Sequence, residues 1–319
     1  RNKSEVERPP RIIYSLPFLS IIDQNYEVMR NILSVNKIEP KPEILLRHDY
    51  KSSGFAESEE RSDDSNRALL LTEGWNSEMV TTTFVQFFET LIATGGSKAR
   101  KFHKLANSVV LLDEIQAVPV KYWGLIREGI QTLTNEFNSY VILLTATNPL
   151  IFEPGKEFIE TVKDCGEYFE DFDRIDYTFH TEGETVQNLK DIIMDEIDEN
   201  PQKDIMVVLN TVGSSKKFFE IIKDAVNRDK IYLSTNILPK QREERINKIK
   251  NSKKPLLIVT TQLIEAGVDI DIDLVYRDFA PLDSIVQVAG RCNRENEGGR
   301  GKVHVFKLLD EEGPRDFYY

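Results

Sequence analysis

Val109-Val110-Leu111-Leu112-Asp113-Glu114 sets four consecutive apolar residues directly before two acids. An apolar run of this length reads as a buried strand whose end delivers both carboxylates to the rim of a sheet. Parallel sheets offer their ligand crevice at the carboxyl ends of the strands, where acids can hold a magnesium ion and orient a water. The chemistry this suggests is nucleotide hydrolysis. Many solvated turns also begin with Asp-Glu, so the surrounding chain has to decide between the two readings.

Apolar runs of the same kind recur on both sides, each followed by a longer amphipathic stretch. The first half has them at 12–15, 79–82, 109–112 and 141–145; the second has them at 205–210, 231–234, 256–260, 274–277 and 303–308, with helices expected near 214–225 and 239–251. Alternation of strand and helix predicts an α/β fold with parallel sheets covered by helices. At 319 residues, with 40% hydrophobic and 29% charged residues, the chain is long enough for about two domains. We place the first at 1–150 and the second at 185–319. The stretch 151–184, rich in Glu, Asp, Gly and Phe without clear period, reads as a linker. Residues 51–66, dense in Ser, Glu and Asp, read as a surface insertion.

Lys plus Arg number 41 and Asp plus Glu 53, a net charge of −12. This argues against a protein that coats nucleic acid with a basic surface. A motor that grips phosphates through backbone amides, hydroxyls and helix N-termini is still allowed, because those groups carry no net charge. No apolar stretch approaches the roughly 18 residues needed to cross a bilayer, so no membrane partner and a cytoplasmic setting are expected. Cys165 and Cys292 are too few for a disulfide framework and read as reduced thiols. The chain starts at Arg1 and enters its first strand almost at once, as expected of a piece of a longer protein.

Gln287-Val-Ala-Gly-Arg291-Cys-Asn-Arg294 is the second strong signal. On a helix, Gln287, Arg291 and Arg294 fall at i, i+4 and i+7 and share a face, while Ile285, Val288, Ala289 and Cys292 form the opposite, apolar one. Two guanidinium groups and an amide then face a triphosphate, whose oxygens match planar bidentate donors. A solvated helix face is the plainer alternative.

Further polar groups fall at other strand ends: Ser15, Thr82, Thr83, Thr145, Thr147, Asn210, Thr211, Thr260 and Thr261. Taken singly, most of them read as caps or turns. Aligned along the rims of two sheets, they would form a sequence-indifferent track for a sugar-phosphate backbone. Gly267 and Asp269 fit a turn near a ribose or near the arginines.

The ordered segments 12–24 (IIYSLPFLSIIDQ), 79–91 (MVTTTFVQFFETL), 101–123 (KFHKLANSVVLLDEIQAVPVKYW), 143–149 (LLTATNP), 257–271 (LIVTTQLIEAGVDID) and 279–294 (FAPLDSIVQVAGRCNR) together resemble superfamily 2 helicases. In finer detail they resemble the CRISPR-associated helicase/nuclease family of type I interference systems. TTFVQFFETL and LANSVVLLDEIQAVP carry the finer likeness. The resemblance implies two RecA-like domains in tandem, the first incomplete at its N-terminus, with ATP bound between them and single-stranded DNA along their rims. It implies that Asp113 holds Mg2+ through its water shell and that Glu114 orients and deprotonates the attacking water. Gln116 would couple the site to the second domain, and Gly267, Asp269 and Gln287 would line the nucleotide. Arg291 and Arg294 would stabilise charge on the transferred phosphoryl group. Its implied partners are a CRISPR RNA-guided surveillance complex and a nuclease domain, fused or separate.

One part is missing from these 319 residues. No G-x-x-x-x-G-K-[ST] phosphate-binding loop occurs; Gly155-Lys156 and Gly301-Lys302 run on into Glu157 and Val303, and the stretch from Thr94 to Lys98 has the wrong spacing and reads as a turn between helices. His48-Asp49 matches the signature dipeptide of the family's nuclease, but His103, His180 and His304 lie far from it in sequence, so the match reads as coincidence. Two other readings stay open: a nucleic-acid-binding fragment without turnover of its own, and another superfamily 2 member acting on RNA.

Overall fold

Apolar runs bounded by Asp, Asn and Thr become eleven named strands in the computed structural model, which describes residues 9–49, 70–92, 95–145, 150–153, 155–162, 166, 174–265, 268–295 and 299–309. The chain divides into two compact units, Arg1–Glu160 and Thr161–Tyr319.

The first unit holds β1 (Arg11–Leu16), β2 (Leu45–His48), β3 (Met79–Thr83), β4 (Ser108–Asp113) and β5 (Tyr140–Leu144) in the order β2-β3-β1-β4-β5, every neighbouring pair parallel. Its helices are α1 (Leu19–Val35), α2 (Phe84–Ile92), α3 (Gly96–Phe102) and α4 (Trp123–Glu136). One face of the sheet is closed by Val110, Leu112, Phe84, Phe87, Ile126, Ile130 and Leu133, all buried in one cluster with Trp75. Along β4 the burial alternates: Val110 and Leu112 are fully buried, whereas Val109 and Leu111 are half-buried. The outermost strand, β5, goes further, with Val141 and Leu143 packed on the core while Tyr140, Ile142 and Leu144 are exposed.

The second unit contributes β6 (Ile175–Glu184), β7 (Ile205–Val208), β8 (Asp229–Leu233), β9 (Leu256–Thr260), β10 (Leu274–Asp278) and β11 (Gly301–Leu308), in the order β6-β11-β10-β7-β9-β8, again all parallel. Its helices are α5 (Val186–Glu199), α6 (Val212–Ile222), α7 (Pro239–Lys250) and α8 (Leu282–Ala289). Separate buried clusters fill the two faces. Met206, Val208, Ile258 and Val275 join one, and Ile205, Val207, Leu257 and Leu274 join the other. Every residue of β7, β9 and β10 is buried, which is why β7 and β9 read as near-continuous apolar runs rather than alternating ones, whereas β10 ends in the buried Arg277 and Asp278.

Two strands lie outside the expected set. β6 falls in the stretch read as a linker and pairs with β11 from Ile175↔Gly301 to Glu184↔Leu308. As an outermost strand with most side chains in water, it carries Asp, Thr, His and Glu, and this polar content hides its period. β2 has four residues with Arg47 among them, too short and too polar to stand out. The expected run 205–210 ends as a strand at Val208, and 141–145 shifts to Tyr140–Leu144. The insertion at 51–66, Cys165, Thr94, Thr147 and Gly267 lie outside the described residues.

Candidate functional site

β4 stops at Asp113 because Glu114 adopts a left-handed backbone, φ 58° and ψ 42°. A non-glycine residue there costs on the order of 1 kcal/mol, and such conformations cluster at functional sites. The turn is held by Glu114 N–H donating to Leu144 O at 2.8 Å and Ala117 N–H donating to Glu114 O at 2.9 Å. Its result is a division of side chains: Ile115 enters the core, fully buried, while Asp113, Glu114 and Gln116 stay at the rim.

Three strand ends converge on that rim. From β1, Tyr14 Oη donates to Asp113 Oδ2 at 2.5 Å. Gln116 Nε2 donates to Glu114 Oε2 in a very short contact, and Thr145 Oγ1, just past β5, donates to Gln116 Oε1 at 2.6 Å. Burial pushes the Tyr14 phenol well above its ordinary value, and the adjacent Asp113 carboxylate pushes the same way. Tyr14 therefore remains a donor throughout the physiological range. Sequence reading missed it; the one available signal is a tyrosine in an otherwise apolar strand, in register with Leu111 two residues before Asp113.

Among the described residues no group of three His, Cys, Asp or Glu side chains could hold a metal. Asp113 and Glu114 nonetheless fit Mg2+, which keeps most of its waters and takes one or two carboxylates together with substrate phosphates.

The hydroxyls expected to form a track are mostly turned inward. Ser15 and Thr82, in register on β1 and β3, are fully buried; Thr82 Oγ1 donates to His48 O at 2.8 Å, and Ser15 Oγ has no hydrogen-bond partner. Thr83 accepts from Gln86 N at 3.2 Å at the start of α2. Thr211 caps α6 by accepting from Ser214 N at 3.0 Å. Thr260 is fully buried and donates to the carbonyl of the buried Thr261 at 3.2 Å. Asn210 uses both ends of its amide internally, donating to Phe279 O at 2.8 Å and accepting from Arg277 Nη1 at 2.7 Å. Side-chain period explains the difference: strand-end residues that continue the alternation point into the core, and the rest are taken up by capping.

The arginines also differ from expectation. α8 ends at Ala289 with Gly290 as its cap, and the chain continues through tight turns, Arg291 N–H bonding Val288 O at 2.9 Å and Cys292 N–H bonding Ala289 O at 2.8 Å. Asn293 then takes a positive φ of 47°. Arg291 and Arg294 therefore do not share a helical face with Gln287, which stays on the helix, half-buried. Arg291 donates from Nη2 to Glu265 O at 3.0 Å and from Nε to Ile264 O at 3.4 Å. Arg294 Nη1 pairs with Asp269 Oδ1 at 3.2 Å, and its backbone N–H donates to Asp271 Oδ1 at 2.7 Å. The apolar side is as expected, with Ile285, Val288, Ala289 and Cys292 all buried. Burial raises the Cys292 thiol to about 12, so it packs as an apolar group.

A second missed residue is Arg277, fully buried on β10 and paired with Glu265. Its signal was a charge inside a run that otherwise reads as buried strand. His48, by contrast, has a structural place: Nδ1 accepts from Trp75 Nε1 at 3.0 Å, and the neighbouring Asp49, fully buried, is held by Arg47 Nη2 at 2.6 Å.

The family model described as CRISPR-associated nuclease/helicase Cas3, C-terminal, matches residues 201–297. The CRISPR-associated nuclease/helicase Cas3 of Haloferax volcanii is 26% identical over 96% of this chain and 43% of its own length. Among solved structures, T. fusca Cas3-ATP is similar with a TM-score of 0.74 and 16% identity, over 96% of this chain and 42% of that one. The DEAD-box helicase Mss116 bound to ssRNA and UDP-BeF reaches 0.61 at 14% identity, over 96% and 61%.

Two RecA-like parallel-sheet units in sequence, the first with Asp113 and Glu114 at the end of β4, share the fold of these solved helicase structures. In sequence the chain is similar to the Cas3 family of CRISPR-associated nuclease/helicases, through the family-model match at 201–297 and the curated relatives. It spans about 43% of the length of the curated relative it matches.

Proposed function

We propose that this chain is the motor portion of an ATP-dependent translocase that moves on single-stranded DNA in CRISPR type I interference. The observation that carries the reading is the Asp113-Glu114 pair at the end of β4, each carboxylate held by a donor from a neighbouring segment, Tyr14 for one and Gln116 for the other. Fixed carboxylates at a strand end suit phosphoryl transfer, where catalysis is mostly positioning and charge stabilisation. Asp113 would hold Mg2+ through water, and the bound ion supplies charge that neutralises the phosphates. Glu114 takes the proton of the attacking water, and Gln116, linked to Thr145, keeps Glu114 aimed. Arg291 and Arg294 act on the charge that develops on the transferred group, a role worth about 10³ to 10⁵ in rate in comparable enzymes, or roughly 4 to 7 kcal/mol of barrier. Gly267, Asp269 and Gln287 belong to the nucleotide side. Thr145, which is exposed, and Thr147 are the remaining candidates for the DNA side, because the other hydroxyls, Thr83 included, are buried or used in capping.

The full protein works in this reading with a CRISPR RNA-guided surveillance complex, a nuclease domain and a cytoplasmic setting. No described helix is long and apolar enough to cross a membrane. Glu114→Gln in the full-length protein should abolish DNA-stimulated ATP hydrolysis while sparing ATP binding; unchanged turnover would sink the assignment. A second reading follows from the lack of a G-x-x-x-x-G-K-[ST] loop in these 319 residues. The chain by itself is then a nucleic-acid-binding fragment without turnover, and substantial hydrolysis by purified residues 1–319 would refute it.

A further inference from the structure

A guanidinium in the middle of a fully buried strand is costly unless every face of it is paired. Arg277 answers that cost through its two terminal nitrogens, within one unit: Nη2 donates to Glu265 Oε1 at 3.0 Å and to Ser284 Oγ at 2.7 Å, and Nη1 donates to Asn210 Oδ1 at 2.7 Å. Ser284 Oγ donates to the same Glu265 oxygen in a very short contact. Burial raises the Glu265 carboxyl above its ordinary value, and Ser284 and Arg277 oppose this. One carboxylate oxygen is thus clamped from β10 on one side and from the first turn of α8 on the other.

The main chain of the same residue does something different. Glu265 O accepts from Arg291 Nη2 at 3.0 Å, and Ile264 O from Arg291 Nε at 3.4 Å. Arg291 is therefore located twice through Glu265: by direct contact with its carbonyl, and through α8, whose Ser284 is tied to its side chain and whose end leads through Gly290 into Arg291.

We propose that Arg277 and Glu265 are positioning residues that set the guanidinium of Arg291 for phosphoryl transfer, Arg277 acting through Glu265 and touching no substrate itself. The proposal rests on the assignment of Arg291 made above. A buried ion pair that serves stability alone can be exchanged for apolar side chains of similar volume with little loss. Exchanging this one keeps the stability but not the turnover, because an apolar residue at 265 leaves the carbonyl that receives Arg291 without its anchor. Misplacing a catalytic group by about 1 Å costs on the order of a hundredfold in rate.

The test uses the full-length protein with single-stranded DNA and ATP, reading kcat, KM for ATP and thermal melting. The combined variant Arg277→Met, Glu265→Leu, Ser284→Ala removes the network without stranding a charge. It should melt within a few degrees of the parent, with kcat reduced at least about tenfold and KM for ATP within about threefold. Retained turnover overturns the proposal. Should that variant fail to fold, Glu265→Gln, the same shape without the charge, should lower kcat in the same pattern, and unchanged kcat again overturns it. In an Arg291→Ala background Glu265→Gln should cause no further loss; a second, multiplied loss shows that Glu265 acts elsewhere. If Arg291→Ala alone leaves turnover intact, the premise about Arg291 has failed, a result separate from failure of the network.

Discussion

Tyr14 Oη and Asp113 Oδ2 lie 2.5 Å apart, a hydrogen bond between two neighbouring strands that fixes the carboxylate at the end of β4. Without that donor the carboxylate keeps its place in the chain but loses its orientation. Tyr14→Phe should therefore raise the Mg2+ concentration needed for half-maximal ATPase several-fold. The stability change should be about 1.5 to 3 kcal/mol, the scale of one hydrogen bond to a charged group. Magnesium titrations of both proteins check this, and coincident curves would count against a role for Tyr14.

Arg294 pairs with Asp269 at 3.2 Å, with both side chains substantially exposed. Exposed pairs contribute at most about 1 kcal/mol to stability. Arg294→Lys preserves the charge and removes the planar fork, so it should leave unfolding nearly unchanged while lowering kcat about tenfold or more. Equal kcat in the two proteins would assign Arg294 to the fold alone.

His48 is buried against Trp75, and burial with Lys101 nearby pushes its imidazole down to about 4 from an ordinary 6.5. Between these values the unfolded chain binds the proton and the folded chain does not, so stability falls as pH drops from about 6.5 towards 4. The limit is on the order of 3 kcal/mol at 1.36 kcal/mol per unit. Both tryptophans, Trp75 and Trp123, lie in the first unit, so urea unfolding followed by their fluorescence reports on that unit. His48→Gln can still accept from Trp75 but cannot titrate, and the difference in stability between pH 7 and pH 5 should shrink.

DNA and RNA strands of equal length should stimulate the full-length ATPase unequally, with DNA the better activator. Contacts to a sugar-phosphate backbone carry little sequence information, so changing the base composition of the DNA should matter less than replacing its sugar. Preference for RNA would redirect the reading to another superfamily 2 activity.

Much of this was legible in the chain because the second sheet is buried on both faces. β7 and β9 admit almost nothing polar, and their apolar runs announce them; in β10 the run Leu274-Val275-Tyr276 does so before Arg277 and Asp278. Asp113 and Glu114 could be placed because β4, an inner strand of the first sheet, runs apolar right up to them. β6 was hidden because a solvated outer strand loses that contrast. The arginines were misplaced because 285–292 keeps helical period beyond the helix itself; Gly290, a common helix terminator, was the available warning. The buried hydroxyls escaped notice because a residue's side of the sheet depends on register, which the end of an apolar run does not reveal. Tyr14 and Arg277 were overlooked because a polar side chain inside a buried strand declares itself only when its partner, far away in sequence, is known.

β5, outermost in its sheet, turns Tyr140, Ile142 and Leu144 towards solvent, and β-rich apolar edges of this kind are templates for pairing with other chains. For the 319 residues handled alone, this makes colloidal behaviour a practical variable. Concentrated samples should self-associate through the first unit, and Ile142→Lys on the exposed side of that strand is the change that should keep them dispersed.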